Sequence, residues 1–230
     1  MTAALDNPFW SSLRGRHRDL ALGAGDALRY PPQFAPFLGV AHAAVDAAAL
    51  SALVQPGESV YLIGVAPVVS QGWALEGFRP LAQMICTQPI AVLDGPQVVE
   101  LSPAHRGDVL ALTALVYPHF FRERTVELGR YFGIYENGRL AAMIGERLGM
   151  DGYQEMSAIC THPDFNGRGY ARRLTALLTN DNLARGRLPF LHVSRENVRA
   201  ERLYAQLGYE LRREIGFWSL RRSEAEVHRD

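Results

Sequence analysis

The pattern of apolar and polar positions is loose over the first third of the chain and regular after it. Residues 8–22 predict a helix and residues 43–54 a second, ending near Pro56 and Gly57. Residues 59–65 (SVYLIGV) are β-branched and aromatic and predict a strand, and residues 81–86 predict another. Asp94-Gly95-Pro96 is a turn cluster and marks a boundary between halves. Beyond it, residues 98–101 predict a strand, and Ser102-Pro103 starts a helix carrying Val109, Leu110, Leu112 and Leu115. Residues 131–135 and 140–147 predict two strands around Glu136-Asn137-Gly138, an Asn-Gly hairpin signal. A strand over 155–161, two helices with a strand at 190–193 between them, and a strand at 217–220 complete the pattern. The order β-α-α-β-β-β-α-β-α-β predicts an α/β (α+β) fold, a mixed sheet flanked by helices.

Composition narrows the function classes. The apolar fraction of 48% and charged fraction of 21% are those of an ordinary globular protein. Lys plus Arg and Asp plus Glu each total 24, so no net field draws the chain to nucleic acid. The basic residues do not interleave with stacking aromatics either, so no nucleic-acid partner is expected. Cys86 and Cys160 have no neighbours at metal-ligand spacing and form no disulfide framework, which predicts no metal site and a reducing compartment. The opening MTAALDNPFW has no basic start with an apolar run, and no stretch approaches about 18 uninterrupted apolar residues. A cytoplasmic protein without membrane contact is the expectation.

Chemistry concentrates in the second half. Asn166-Gly167-Arg168-Gly169-Tyr170-Ala171 lies between a predicted strand and a helix whose Tyr170, Leu174, Leu177 and Leu178 share one face. A strand turning through glycines into a helix N-terminus presents free N–H groups and the positive dipole end, which suits a pyrophosphate. Arg168, Arg172 and Arg173 add positive charge nearby. The turn is neither a dinucleotide GxGxxG nor a Walker loop. A second element runs from Asn197, a good N-cap, to Gly208, a good C′ residue, and places Asn197 and Tyr204 two turns apart on one side. Ile85-Cys86-Thr87-Gln88-Pro89 also echoes Ile159-Cys160-Thr161-His162-Pro163, by chance or by an old duplication whose first copy has no Gly-rich turn.

Taken together, Ile159 to Pro163, Asn166 to Ala171, and Asn197-x-x-Ala200-x-x-x-Tyr204-x-x-x-Gly208-Tyr209 resemble, in order and spacing, the GCN5-related N-acetyltransferase (GNAT) family. ICTHPDFNGRGYARRL, from Ile159 to Leu174, is similar to its FR47-like branch. The resemblance covers roughly residues 98 to 220. It implies a mixed, mostly antiparallel sheet flanked by helices over 96–222; residues 1–95 form an α/β region that is either a degenerate copy or an unrelated fold, and residues 223–230 a charged tail. It implies acetyl-CoA, or another acyl-CoA, as co-substrate. Ile159, Cys160 and Thr161 would pair with the pantetheine arm, Gly167 to Arg172 would wrap the pyrophosphate, Asn197 and Ala200 would meet the pantetheine, and Tyr204 would face the sulfur. The first motif position, Gln or Arg in the family, is the shorter Asn166 here.

Acyl transfer to an amine needs a neutral amine, a stabilised oxyanion and a protonated leaving thiolate. Glu155, four residues before Ile159, would share its face on a regular strand, and the family resemblance places a base there. Glu146 and His192 are further candidates for the base. A backbone N–H near Ile159 or Cys160 would hold the oxyanion, and Tyr204 would protonate the thiolate. Cys160 has no histidine at a spacing that would make it a nucleophile. The expected acceptor is a small-molecule or protein amine. Its site would come from residues 117–129, including Tyr117-Pro118-His119-Phe120-Phe121, and from residues 149–153. A monomer or homodimer is expected. Two other readings stay open: an acyl-CoA-binding sensor without turnover, and a glycine-N-acyltransferase-like enzyme using larger acyl groups.

Overall fold

A computed structural model describes residues 3–224. The chain forms two units: Pro36–Leu81 with the chain up to and including Pro32 and from Ile215 onward, and Gln33–Ala35 with Ala82–Glu214.

The first unit opens with helices α1 (Ala3–Asp6) and α2 (Pro8–Arg14). The helix expected over residues 8–22 stops at Arg14 because Gly15 leaves the helical conformation and the next turn is fixed from elsewhere. There the His17 ring meets Tyr30 Oη at 2.8 Å and Ser12 Oγ at 3.2 Å. Strands β1 (Leu22–Ala24), β2 (Ala27–Arg29) and β3 (Leu38–Val40) form a small antiparallel sheet. Helix α3 (Ala47–Leu53) is shorter than the expected run and starts at Asp46, whose carboxylate accepts from Ala48 N at 2.9 Å. Strands β4 (Ser59–Ile63) and β5 (Trp73–Gly77) flank β13 (Phe217–Arg222), the last strand of the chain. Leu38, Leu50, Val60, Leu62 and Leu220 fill the core beneath.

The second unit is built on a seven-stranded sheet of order β12-β6-β11-β10-β9-β8-β7. Its strands are β6 (Leu81–Ile85), β7 (Val99–Glu100), β8 (Tyr131–Glu136), β9 (Arg139–Met150), β10 (Tyr153–Thr161), β11 (Leu188–Ser194) and β12 (Glu210–Ile215). Between them run helices α4 (Arg106–Val116), α5 (Tyr170–Ala184) and α6 (Val198–Gln206). Strands β7 to β10 are antiparallel, and β11 runs parallel to β10. The sheet is mixed and mostly antiparallel, as expected. Only one α-helix separates β7 from β8, because the second predicted there is a 3-10 turn at Thr125–Leu128. Asn137 and Gly138 take φ of 50° and 75°, as a two-residue hairpin of primed type requires. Alternation sorts β8 between two faces. Tyr131 joins Val109 and Leu112 of α4, while Ile134 joins Leu174 and Leu178 of α5.

The boundary expected at 95/96 is replaced by an exchange of strands. Strand β6, from before that point, lies between β11 and β12, and β13 lies between β4 and β5. The cause is burial: Ala82, Gln83 and Met84 are all covered, so β6 is a central strand. Residues 86–98, which hold the Asp94-Gly95-Pro96 turn, run along α5 instead of separating two bodies. Asn180 exchanges hydrogen bonds with the backbone of Ile90 at 2.7 and 2.8 Å, and Arg173 donates to the carbonyls of Pro96 and Leu93. Of the expected charged tail, residues 225–230 lie outside the described residues.

Candidate active site

The site begins where two strands part. Paired register between β10 and β11 runs from Tyr153–Leu188 to Glu155–Phe190 and stops. Beyond it β10 pairs with β9, across one register shift between Gln154 and Met156 and a second between Ser157 and Cys160 that spans Ala158, whose φ is 48°. The second shift places an extra residue in β10 and turns the following side chains over. Ile159, Cys160 and Thr161 therefore edge an open slot instead of a closed ladder. They line a cavity of about 930 Å³ together with the start of α5 and one side of α6.

The start of α5 is an anion cradle. Gly167 and Gly169 have φ of 80° and 78°, and a Cβ at either would meet no atom within 4 Å. Gly169 is the N-cap and no side chain caps the helix, so its first N–H groups are left for a ligand. Arg172 Nε is buried without a partner, and the Arg168 guanidinium lies 5.1 Å above the Phe165 ring. Tyr170 contributes backbone alone, because its ring is in the core and its hydroxyl donates to Glu136 at 2.8 Å. Asn166 and Ala171 also line the cavity. Across the slot, Asn197 Oδ1 accepts from Ala200 N at 3.1 Å and caps α6. Ala200 and Leu203 pack on the α5-side core, and Tyr204 is 7% exposed. Burial pushes the Tyr204 phenol above its ordinary pKa, with Tyr117 and Cys160 adding to the rise.

Glu155 is not placed as the sequence suggests. The bulge at Ala158 breaks the alternation that would align it with Ile159, and Ile159 packs on the α5-side cluster. Glu155 is 1% exposed and lies outside the cavity lining. Arg147 donates to it twice, at 2.8 and 2.9 Å, and His192 Nδ1 lies 2.8 Å from its Oε1. Burial alone would raise its pKa. Arg147 and His192 outweigh that and hold it at about 2. The chain of contacts continues from His192 Nε2 to Gln83 at 2.9 Å and from Gln83 Oε1 to Arg212 at 2.5 Å. If Nδ1 carries the His192 proton, each group in this line has a matching partner. Glu155 and His192 are thus held by each other and by Arg147 and Gln83, and neither lines the slot.

The remaining candidates divide similarly. Burial would raise the Glu146 pKa, but bonds from Arg130 at 2.5 Å and Asn182 at 2.8 Å hold it below its ordinary value. The Cys160 thiol donates to the Ala158 carbonyl at 3.4 Å, and burial pushes its pKa up to about 12, so it stays a thiol. Of residues 117–129 and 149–153, none lines the cavity, although the preceding Val116 does. Phe121 packs edge-on against Tyr131 in the core, with ring centres 6.0 Å apart. Sequence reasoning missed Arg147, Gln83 and Arg212. Counting out from the β9–β10 turn sets Glu155 against Leu148, and a register shift between Gln154 and Met156 intervenes, so the sequence carried no direct signal for Arg147. It also missed Arg199 and Arg202, which line the cavity.

The residues present fit an acyl-CoA: a free strand edge, an uncapped helix start with open space over its glycines, and an orphaned guanidinium nitrogen. A mixed sheet splayed beside a glycine-turned helix is the architecture of acyl-CoA-dependent acyltransferases. Residues 131–218 match the sequence family described as FR47-like protein. A protein of Novosphingobium aromaticivorans described as an acetyltransferase of the GNAT family is similar at 33% identity, with 95% of this chain and 98% of that one covered and a TM-score of 0.85. A GCN5-related N-acetyltransferase from Kribbella flavida shares the fold at 17% identity, a TM-score of 0.63, and 94% and 95% coverage. A GNAT-family acetyltransferase from Colwellia psychrerythraea does so at 16% identity, a TM-score of 0.53, and 62% and 56% coverage. No curated protein matches the chain. The chain belongs to the GNAT family of acetyltransferases. Among the described residues no helix is long and apolar enough to cross a membrane, and no group of side chains could hold a metal ion.

Proposed function

We propose that the protein transfers an acetyl or other small acyl group from acyl-CoA to an amine. The observation that carries this reading is the slot itself, with one unpaired strand edge, one uncapped helix start and one buried phenol on its walls. The co-substrate supplies a thioester carbonyl. The N–H groups of 170–172, with Arg168 and Arg172, hold its pyrophosphate, and the edge Ile159–Thr161 pairs with its pantetheine arm. A backbone N–H of the same edge faces the carbonyl oxygen, where developing charge needs a fixed donor. As the N–C bond forms and the C–S bond breaks, nitrogen loses one proton and sulfur gains one. Tyr204 supplies the proton for sulfur: burial makes its phenol a weaker acid, and the same exclusion of water makes the leaving thiolate a stronger base. The cavity lining contains no carboxylate and no histidine, so the amine proton leaves to water.

That same feature favours a second reading, a domain that binds acyl-CoA without turnover. An amine-panel screen with acetyl-CoA and longer acyl-CoAs, read by thiol release, separates the two. Amine-dependent release supports the transferase. Binding of CoA with no release above the buffer rate for any amine refutes it.

A further inference from the structure

The cavity is strongly one-signed in a chain whose formal charge is zero. Arg168, Arg172, Arg199 and Arg202 all line it, and no Asp or Glu does. Two of these arginines belong to the α5 start, where the helix N–H groups already serve a pyrophosphate. The other two stand on a separate element. Arg199 and Arg202 lie three residues apart on α6 and fall, with Gln206, within a stripe of about 60°. Both are exposed, and neither has an ion-pair partner among the described residues. The acid between them on α6 is already engaged: Glu201 pairs with Arg195, which also meets Glu214 at 3.0 Å. Two guanidinium groups at this spacing, with an amide beside them, suit a phosphomonoester dianion.

We infer that Arg199 and Arg202 form a phosphomonoester subsite that reads the 3′-phosphate of acyl-CoA and selects the free CoA thioester over donors lacking that phosphate. The assignment rests on the acyl-CoA reading above and deepens it. A nucleotide held at its pyrophosphate by α5 and along its pantetheine arm by β10 has one remaining charged group. The two unpaired arginines are the charge left in the same cavity to meet it. An exposed ion pair is screened and worth about a fivefold change at most, so the pair together should give about tenfold.

The test compares CoA and dephospho-CoA by titration calorimetry against the full chain and against an Arg199→Gln, Arg202→Gln double variant. Both positions are exposed, so the variant should melt with the parent. The parent is expected to prefer CoA about tenfold. The double variant should bind CoA only as tightly as dephospho-CoA, with its dephospho-CoA affinity unchanged. Equal binding of the two ligands by the parent overturns the subsite while leaving the acyl-CoA site intact. So does a preference for CoA that survives in the double variant. Failure of the parent to bind either ligand overturns the acyl-CoA reading itself.

Discussion

Gly169 is where backbone conformation and ligand chemistry meet. Its φ of 78° disfavours any side chain, and the space where a Cβ would stand is empty of protein atoms. Gly169→Ala therefore adds no clash within the protein, and its folding cost is the conformational one of about 1–2 kcal/mol. For a chain of this size that lowers Tm by about 2–8 °C. The new methyl group stands in the approach to the uncapped N–H groups of α5. Losing two hydrogen bonds to a charged phosphate, at about 1.5–3 kcal/mol each, weakens CoA binding by a hundredfold or more. Gly169→Asn separates the causes, since Asn tolerates this conformation better than Ala yet carries the same Cβ. Calorimetry gives affinity and a thermal melt gives stability. The expected result is that Asn recovers part of the melting temperature and none of the affinity. CoA binding within a few-fold of the parent in Gly169→Ala would refute the phosphate cradle.

Tyr204→Phe keeps the buried ring and removes the proton donor, so turnover should fall about a hundredfold with CoA affinity unchanged; single-turnover thiol release checks it, and an unchanged rate removes Tyr204 from the mechanism. Glu155→Gln strands Arg147 beside an uncharged amide and should cost about 3–5 kcal/mol in denaturant unfolding. The Glu155 pKa is depressed from 4.5 to about 2, so its contribution is complete above about pH 4.5 and lost as pH falls toward 2. The variant's stability should vary less over that window, and an identical acid profile would sink the assignment. A fragment of residues 96–222 lacks β6 and should show no cooperative melt, whereas a melt matching the parent's would show that β6 is dispensable.

What could be read from the chain beforehand was local. Asn137-Gly138 specifies its turn through two adjacent positive φ angles, and Asn197 and Gly208 delimit α6 through its own end groups. The glycines of the α5 turn were legible for the same reason. Five strands escaped: β1, β2 and β3 are three residues each, too short to show alternation, and β5 and β12 have the patterns of exposed segments, since Glu210–Ile215 is mostly charged and all of Trp73–Gly77 beyond its first residue is exposed. Strand alternation failed at Ala158, where one bulged residue reverses the faces of everything after it. That bulge put Ile159 and Glu155 on different faces, and Glu155 lies instead in a buried ion pair beside a second register shift. The placement of β6 beside β11 depends on pairing across about a hundred residues, which no local pattern encodes.

The two units illustrate why the glycine turn carries the site. Both contain a triplet in which a strand from the far end of the sequence is inserted, β4-β13-β5 and β11-β6-β12. Each unit thus places one strand between two that are consecutive in sequence. The two echoing segments do not occupy matching places, because Ile85-Cys86-Thr87 ends the inserted strand and Ile159-Cys160-Thr161 ends β10. The glycines make the difference in chemistry plain. Gly64, which follows β4, also has a positive φ, but a Cβ there would collide with the carbonyl of Asp6. It is a packing glycine, closed over by protein and hydrogen-bonded to Gly216 at 3.0 Å. Gly167 and Gly169 share its conformation and face open space at the start of a fifteen-residue helix. The same backbone geometry thus closes a core in one unit and leaves free N–H groups for an anion in the other, and what separates them is the emptiness above the turn.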